Sequence, residues 1–314
     1  MGNWTAENIA SLNGRTFVVT GATSGLGLAS AAEFAAHAGQ VVVTGRNREK
    51  LARAMETVRS VATGPEPTEV LLDLASLDSI RDAAAQITEL FPRIDVLLNN
   101  AGVMATPREA TDDGFELQIG TNHLGHFALT GLLLKSIPHR GADSRVVTVA
   151  SLAHRTGRLD PDDLSFERRR YQPWIAYGQS KLANLLFTAE LDRRARGAGW
   201  SLKSVAAHPG WAATNLGSEG TSFTQHIVTQ TGARLVQAVI GQSAENGALP
   251  SLYASTADDV VSGDYYGPSG FLESRGEPKR VGRASAARET EAARRLWEVS
   301  QELTGVDYGL APAE

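Results

Sequence analysis

Thr16-Phe17-Val18-Val19-Thr20-Gly21-Ala22-Thr23-Ser24-Gly25-Leu26-Gly27 is followed by an alanine-rich stretch over 28–38. A β-branched and aromatic run, a glycine turn and a small-residue helical pattern read as strand, turn, helix. Gly21, Gly25 and Gly27 permit a tight turn and let backbone N–H groups at a helix N-terminus approach a pyrophosphate. The spacing is G-x-x-x-G-x-G, which differs from the G-x-G-x-x-G of the usual dinucleotide turn. By itself the turn also fits a plain strand-to-helix connection; its context favours dinucleotide binding.

Working outward, further candidate strands cover 40–44, 69–72, 95–99, 145–150 and 202–207, with a seventh at 263–267. Several are rich in Val or Leu without alternation, as in strands covered on both faces. Helical patterns fall between them. The expected fold is α/β, one doubly wound domain over 1–314 with a mainly parallel, seven-stranded sheet. Two polar stretches interrupt the alternation, 152–174 and 217–241. A terminal helix is expected over 284–302, serving packing or assembly.

The chain has 314 residues, no cysteine and a formal charge of −5. Disulfides and thiolate metal sites are therefore excluded, and a broad nucleic-acid footprint is disfavoured. The one compact basic run, Glu167-Arg168-Arg169-Arg170, reads as solvated loop. There is no signal-peptide pattern and no apolar run approaching the ~20 residues of a membrane span. The chain thus reads as soluble and cytoplasmic. His123, His126, His154 and His208 show no metal-ligand spacing and read as structural.

Tyr177 and Lys181 stand four apart in a helical stretch, so a phenol and an ammonium share one face. A fixed cation there stabilises phenolate and draws the phenol toward proton exchange. Ser151 ends the apolar run Val146-Val147-Thr148-Val149-Ala150, at the strand edge where open α/β sheets bind ligands. Its hydroxyl suits stabilisation of charge developing on a substrate oxygen.

Taken in order, Thr20-Gly21-x-x-x-Gly25-x-Gly27, Asn99-Asn100-Ala101-Gly102, Asn122, Ser151, Tyr177-x-x-x-Lys181 and His208-Pro209-Gly210 resemble the short-chain dehydrogenase/reductase family in its classical form. The resemblance runs from about residue 14 to at least 215. Asn122-His123-Leu124-Gly125-His126-Phe127 and Gln179-Ser180-Lys181-Leu182-Ala183-Asn184 are similar to the branch of retinol dehydrogenases and their bacterial relatives. The 26 positions between Ser151 and Tyr177 exceed the usual spacing and match that branch.

The resemblance implies a Rossmann-type fold, with a dinucleotide half over about 14–150 and a catalytic half over 151–314. It implies hydride transfer between a nicotinamide and a lipophilic carbonyl or alcohol, with Tyr177 as general acid/base, Lys181 holding the nicotinamide ribose and Ser151 binding the substrate oxygen. Asn122 would hold a water relaying protons from Lys181. Cofactor contacts fall on Gly21, Thr23, Ser24, Gly25, Leu26, Gly27, Asp73, Leu74, Asn99, Ala101 and Gly102, and on Pro209, Gly210, Trp211 and Thr214 at the nicotinamide. Asp73 would meet the adenine amine, though a helix-capping role is an equal local explanation. The stretches 152–174 and 217–241 would border the pocket, the second as a lid. Homodimers or homotetramers are expected alternatives.

The second strand ends Val43-Thr44-Gly45-Arg46, with no acid between 41 and 48. The carboxylate that would grip a ribose 2′-hydroxyl is missing, and Arg46 suits a 2′-phosphate. NADP(H) is therefore expected over NAD(H). Two rivals stay open: a non-catalytic NADP-binding sensor, and an epimerase or dehydratase on the same scaffold.

Overall fold

The computed structural model describes residues 4–210 and 243–312. Along the chain lie β1 (Thr16–Val19), α1 (Gly25–Ala36), β2 (Gln40–Gly45), α2 (Arg48–Val61), β3 (Thr68–Leu71), α3 (Leu77–Leu90) and β4 (Val96–Asn99). A one-turn α4 (Leu117–Ile119) runs through a π-helical turn, Gly120–Leu124, into α5 (Gly125–Leu133). Then come β5 (Arg145–Val149), α6 (Pro173–Gly197), β6 (Lys203–Ala207), α7 (Ala244–Thr256), β7 (Tyr265–Pro268), β8 (Pro278–Arg280) and α8 (Thr290–Thr304).

Among the described residues all strands join one sheet, ordered β3-β2-β1-β4-β5-β6-β7-β8. Every pairing is parallel except β7 with β8. The strand order reverses between β1 and β4, which opens a crevice at the carboxyl edge. The expected doubly wound sheet is present, with eight strands in place of seven. The missed strand, Pro-Lys-Arg at the sheet edge, is too short and charged to carry an apolar signal.

The absence of alternation in the strands has its expected cause. Val18, Val42, Leu97 and Val146 bury into one layer with α3, α5 and α6; Phe17, Val19, Val41, Val43, Leu98 and Val147 bury into the other with α1, α2 and α7. Side chains alternate between faces, and both faces are apolar.

The terminal helix differs from the expected 284–302. A 3-10 turn at Ser285–Arg288 precedes α8, which lies on α6 and α5. Trp297 is fully buried there, edge-on to Phe127 at 5.1 Å and stacked on Phe187 at 5.9 Å. Tyr308 closes the cluster, its hydroxyl donating to the Phe127 carbonyl at 2.6 Å. The helix therefore serves packing. Trp297→Ala is expected to lower stability by about 3–5 kcal/mol in urea titration, through the cavity it leaves. A loss below about 1 kcal/mol would show that the aromatic cluster is not part of the core.

Candidate active site

The glycine turn is held from outside itself. The Thr20 hydroxyl accepts from the N–H groups of Asn100 (2.9 Å) and Ala101 (3.0 Å), tying β1 to the end of β4. Asn100 Nδ2 donates to the Thr20 carbonyl at 2.8 Å. Gly21 has φ +63°, and a Cβ there would lie 2.8 Å from that of Ala101. A Cβ on Gly27 would lie 2.5 Å from both Asn100 Nδ2 and the Gly21 carbonyl oxygen. Side chains are thus barred at Gly21 and Gly27. Ser24, the N-cap of α1, makes no side-chain cap, so the first-turn N–H groups of the helix lack that partner. A glycine cradle at an uncapped helix start fits a dinucleotide pyrophosphate.

Around this turn stand the other expected cofactor residues. Arg46 is exposed directly after β2, and Asn47 caps α2 by accepting from Lys50 N–H at 2.9 Å. Asp73 Oδ1 accepts from Ala75 N–H at 2.9 Å, while Ser76 is the N-cap of α3. The capping explanation for Asp73 is thereby corrected: it holds the turn ahead of the helix. Leu74 is buried, and Gly102 packs where a Cβ would sit 3.0 Å from Asn122 Oδ1 and 3.4 Å from Lys181 Nζ. The Asn99 side chain turns to Thr130 at 3.0 Å, into the α5 layer. Trp211, Thr214 and the expected lid over 217–241 lie outside the described residues.

Tyr177 and Lys181 project from buried turns of α6, beneath the loop that leaves β5 at Ser151. The Ser151 side chain neighbours the Tyr177 phenol closely enough to favour its ionised form. Ser151 Oγ also accepts from Ala153 N–H at 3.2 Å. Lys181 Nζ donates to the Val149 carbonyl at 3.0 Å and stands 5.8 Å from the Tyr177 ring centre. Burial raises the Tyr177 pKa above its ordinary value, and the neighbouring Ser151 side chain offsets only part of this. Burial therefore outweighs the expected downward pull of Lys181. Burial lowers Lys181 itself to about 8.

Asn122 lies in the π-helical turn. Its Oδ1 accepts from Val103 N–H (2.8 Å) and its Nδ2 donates to the Val103 carbonyl and Ser180 Oγ (both 2.9 Å). This side chain braces the segment after β4 against α6, with its polar atoms already partnered.

Two residues escaped the sequence reading as parts of this assembly. Asn184, fully buried, donates to the same Val149 carbonyl as Lys181, at 3.1 Å. Its signal was its spacing of three from Lys181, on one helical face. His126 joins the Thr20 hydroxyl (2.8 Å) to the Asn122 carbonyl (3.0 Å). The carbonyl must accept from Nδ1–H, so Nε2 accepts from Thr20. Burial lowers His126 to about 4, with the Lys181 charge contributing, so the ring is neutral.

The insertion between Ser151 and Tyr177 is anchored. Asp163 accepts from the N–H groups of Glu167, Arg168 and Arg169 and from the Arg169 guanidinium. Arg169 Nη2 also reaches Gln179 on α6 at 2.8 Å. The basic run is therefore not simply a solvated loop. Tyr171 donates to the Thr106 carbonyl at 2.9 Å and accepts from Gln118 Nε2. The insertion thus ties the segment before α4 to the start of α6, where Trp174 stands edge-on to Tyr177 at 6.0 Å.

Comparison with known proteins identifies the family. The sequence model described as short chain dehydrogenase matches residues 15–224. Human (Homo sapiens) retinol dehydrogenase 13 is 41% identical over 300 residues, covering 95% of this chain and 87% of its own. Mouse (Mus musculus) polyprenol dehydrogenase is 38% identical over 303 residues, covering 94% and 85%. The crystal structure of an uncharacterized protein from Mycobacterium Paratuberculosis superposes with a TM-score of 0.81 at 40% identity, covering 98% of this chain and all of that one.

The buried ammonium has a measurable cost. Between about pH 8 and the ordinary lysine value of 10.5, the unfolded chain holds a proton that the native chain has released, so this group makes stability rise with pH. Below about pH 8 its full cost is present. Lys181→Met is expected to stabilise the chain at pH 7 by on the order of 2–3 kcal/mol, with the gain fading toward pH 10.5. Urea titrations at pH 7 and 10 that find the variant no more stable at pH 7 would contradict this account.

Proposed function

This chain belongs to the short-chain dehydrogenase family, and we propose that within it the protein interconverts a lipophilic ketone or aldehyde and its alcohol using NADP(H). The oxidoreductase class follows from the family; cofactor preference and substrate chemistry are our reading. The observation that carries it is the pairing of buried Tyr177 and Lys181 on α6, with Lys181 Nζ 5.8 Å from the phenol ring centre and Ser151 next to the phenol at the end of β5.

Bound nicotinamide supplies or accepts the hydride at the substrate carbon. Tyr177 Oη gives its proton to the carbonyl oxygen in reduction and takes it back from the hydroxyl in oxidation. A phenol is protonated at neutral pH, as a proton donor requires, and burial raises the Tyr177 pKa further. Ser151 Oγ directs a hydrogen bond to the same oxygen and steadies charge developing there. Lys181 would hold the nicotinamide ribose, and its positive charge favours phenolate as the proton leaves. Asn122 fixes the wall opposite Lys181 through Val103 and Ser180. The water relay inferred from resemblance rests on its position, since its side chain is already partnered.

NADP(H) is supported by Arg46 and the missing acid at the end of β2. A guanidinium pairs with a 2′-phosphate through charge-assisted hydrogen bonds, whereas a carboxylate would repel it. A lipophilic substrate is supported by Trp174 and Ile175, which are 52% and 37% exposed at the start of α6 beside Tyr177. The relatives named for retinol and polyprenol dehydrogenation point the same way. Among the described residues, no helix is long and apolar enough to cross a membrane.

NADPH oxidation with lipophilic aldehydes, ketones and quinones tests this reading, with NADH in parallel. Tyr177→Phe is expected to lower kcat about 10²–10⁴-fold while NADPH binding persists. Substantial turnover by that variant would remove Tyr177 from the chemistry. Arg46→Asp should weaken NADPH about 10–100-fold and leave NADH little changed, as titrated by cofactor fluorescence. An equal effect on both cofactors would refute the 2′-phosphate role.

A further inference from the structure

The loop between β7 and β8 carries two adjacent non-glycine residues with left-handed backbone, Leu272 at φ +51° and Glu273 at φ +55°. This region is costly for side chains, and such strain persists only where the surroundings enforce it. Phe271 and Leu272 are left 84% and 67% exposed, so apolar burial does not compensate. What the conformation does achieve is to turn the Glu273 carboxylate inward.

There it meets two segments of the active site. Glu273 Oε2 contacts His208 Nε2 at 3.1 Å, and Oε1 accepts from Arg155 Nη2 at 2.8 Å. Arg155 closes the 3-10 turn that begins after Ser151. His208 ends the β6 ladder, its N–H donating to the Tyr266 carbonyl at 2.9 Å, and leads into Pro209-Gly210. His208 Nδ1 accepts from Gly210 N–H at 3.1 Å. With Nδ1 an acceptor, the ring proton must be on Nε2, where the carboxylate receives it. One carboxylate thus selects the tautomer that holds the Gly210 turn.

The fit is tight on every side. Gly210 has φ +72°, and a Cβ there would lie 2.8 Å from the Glu273 carbonyl oxygen and 2.5 Å from that of Ser274. A Cβ on Gly267 would overlap the His208 ring. Tyr265 flanks that ring at 5.1 Å, and His154 lies on the other side of Tyr265 at 5.6 Å. His154 has its own partners, the Ser151 carbonyl at 2.6 Å and Ala284 N–H at 3.2 Å.

We propose that Glu273 is a positioning residue for the nicotinamide end of the site: through His208 it sets the Pro209-Gly210 turn, and through Arg155 it ties that turn to the Ser151 loop. This rests on the reading that Pro209-Gly210 meets the nicotinamide. Among the described residues, the charged and titratable groups around His208 are Glu273, Arg155, His154 and Tyr265. Burial lowers the pKa of His208 although Glu273 opposes it, so the neutral ring is the working form. Protonation at Nδ1 would remove the acceptor for Gly210 N–H.

The test compares wild type, Glu273→Leu and Glu273→Gln, with two readouts. Ring-nitrogen shifts of ¹⁵N-histidine-labelled protein without cofactor report the tautomer, the His208 signal being identified by its loss in His208→Asn. Fluorescence titration reports NADPH affinity. Wild type should show the Nε2–H form. Glu273→Leu should mix the tautomers and raise the NADPH Kd about ten-fold. Glu273→Gln, which still accepts from Nε2–H, should restore the tautomer and most of the affinity. An unchanged tautomer and Kd in Glu273→Leu would overturn the role of Glu273 while leaving the cofactor site intact. Failure of wild type to bind either nicotinamide nucleotide would overturn the cofactor reading and this proposal together.

Discussion

The Thr20 hydroxyl joins the two halves of the crevice. It sits at the end of β1, receives two backbone N–H groups from the end of β4 and is bonded to His126 on α5. These are the strands between which the sheet reverses its winding. A reversal leaves both strand ends without crossover helices above them, so their buried backbone groups need partners from side chains. Thr20 and Asn100 supply them. The glycine turn takes its shape from those partners, and the site is built on that turn.

From His126 the same chain of contacts reaches the catalytic candidates. Its ring bonds the Asn122 carbonyl, the Asn122 side chain bonds Ser180, and Ser180 lies beside Lys181 on α6. The cofactor turn and the Tyr177 helix are therefore rigidly related through one buried polar path. Each member is satisfied locally, as such networks must be in a low dielectric. Burying Lys181 nevertheless opposes folding, so its retention points to function over stability.

The fold was legible wherever apolar runs were long enough to declare themselves. The inner strands β1, β2, β4, β5 and β6 and the β1–α1 turn followed from apolar runs and glycine spacing, because burial on both faces leaves a continuous apolar signal. The edge strand β8 was not, since three residues of proline, lysine and arginine look like loop. At the site, the order of Tyr177, Lys181 and Ser151 could be read from helical spacing and a strand end. The state of Tyr177 could not, because desolvation depends on what covers the ring. Nor could the roles of His126, His208 and Glu273, whose partners lie 106, 65 and 118 positions away (Thr20, Glu273 and Arg155). Such pairings exist only after the sheet has assembled.

The aromatic cluster at α8 has a consequence for synthesis. Phe127 and Phe187 complete their layer with Trp297, which follows Phe127 by 170 positions. At ordinary translation rates about 10–30 s separate the appearance of the two. During that interval the nascent chain displays an unfinished aromatic face on α5 and α6. A chaperone that shields such a face during elongation would act on this protein before any of its chemistry becomes possible.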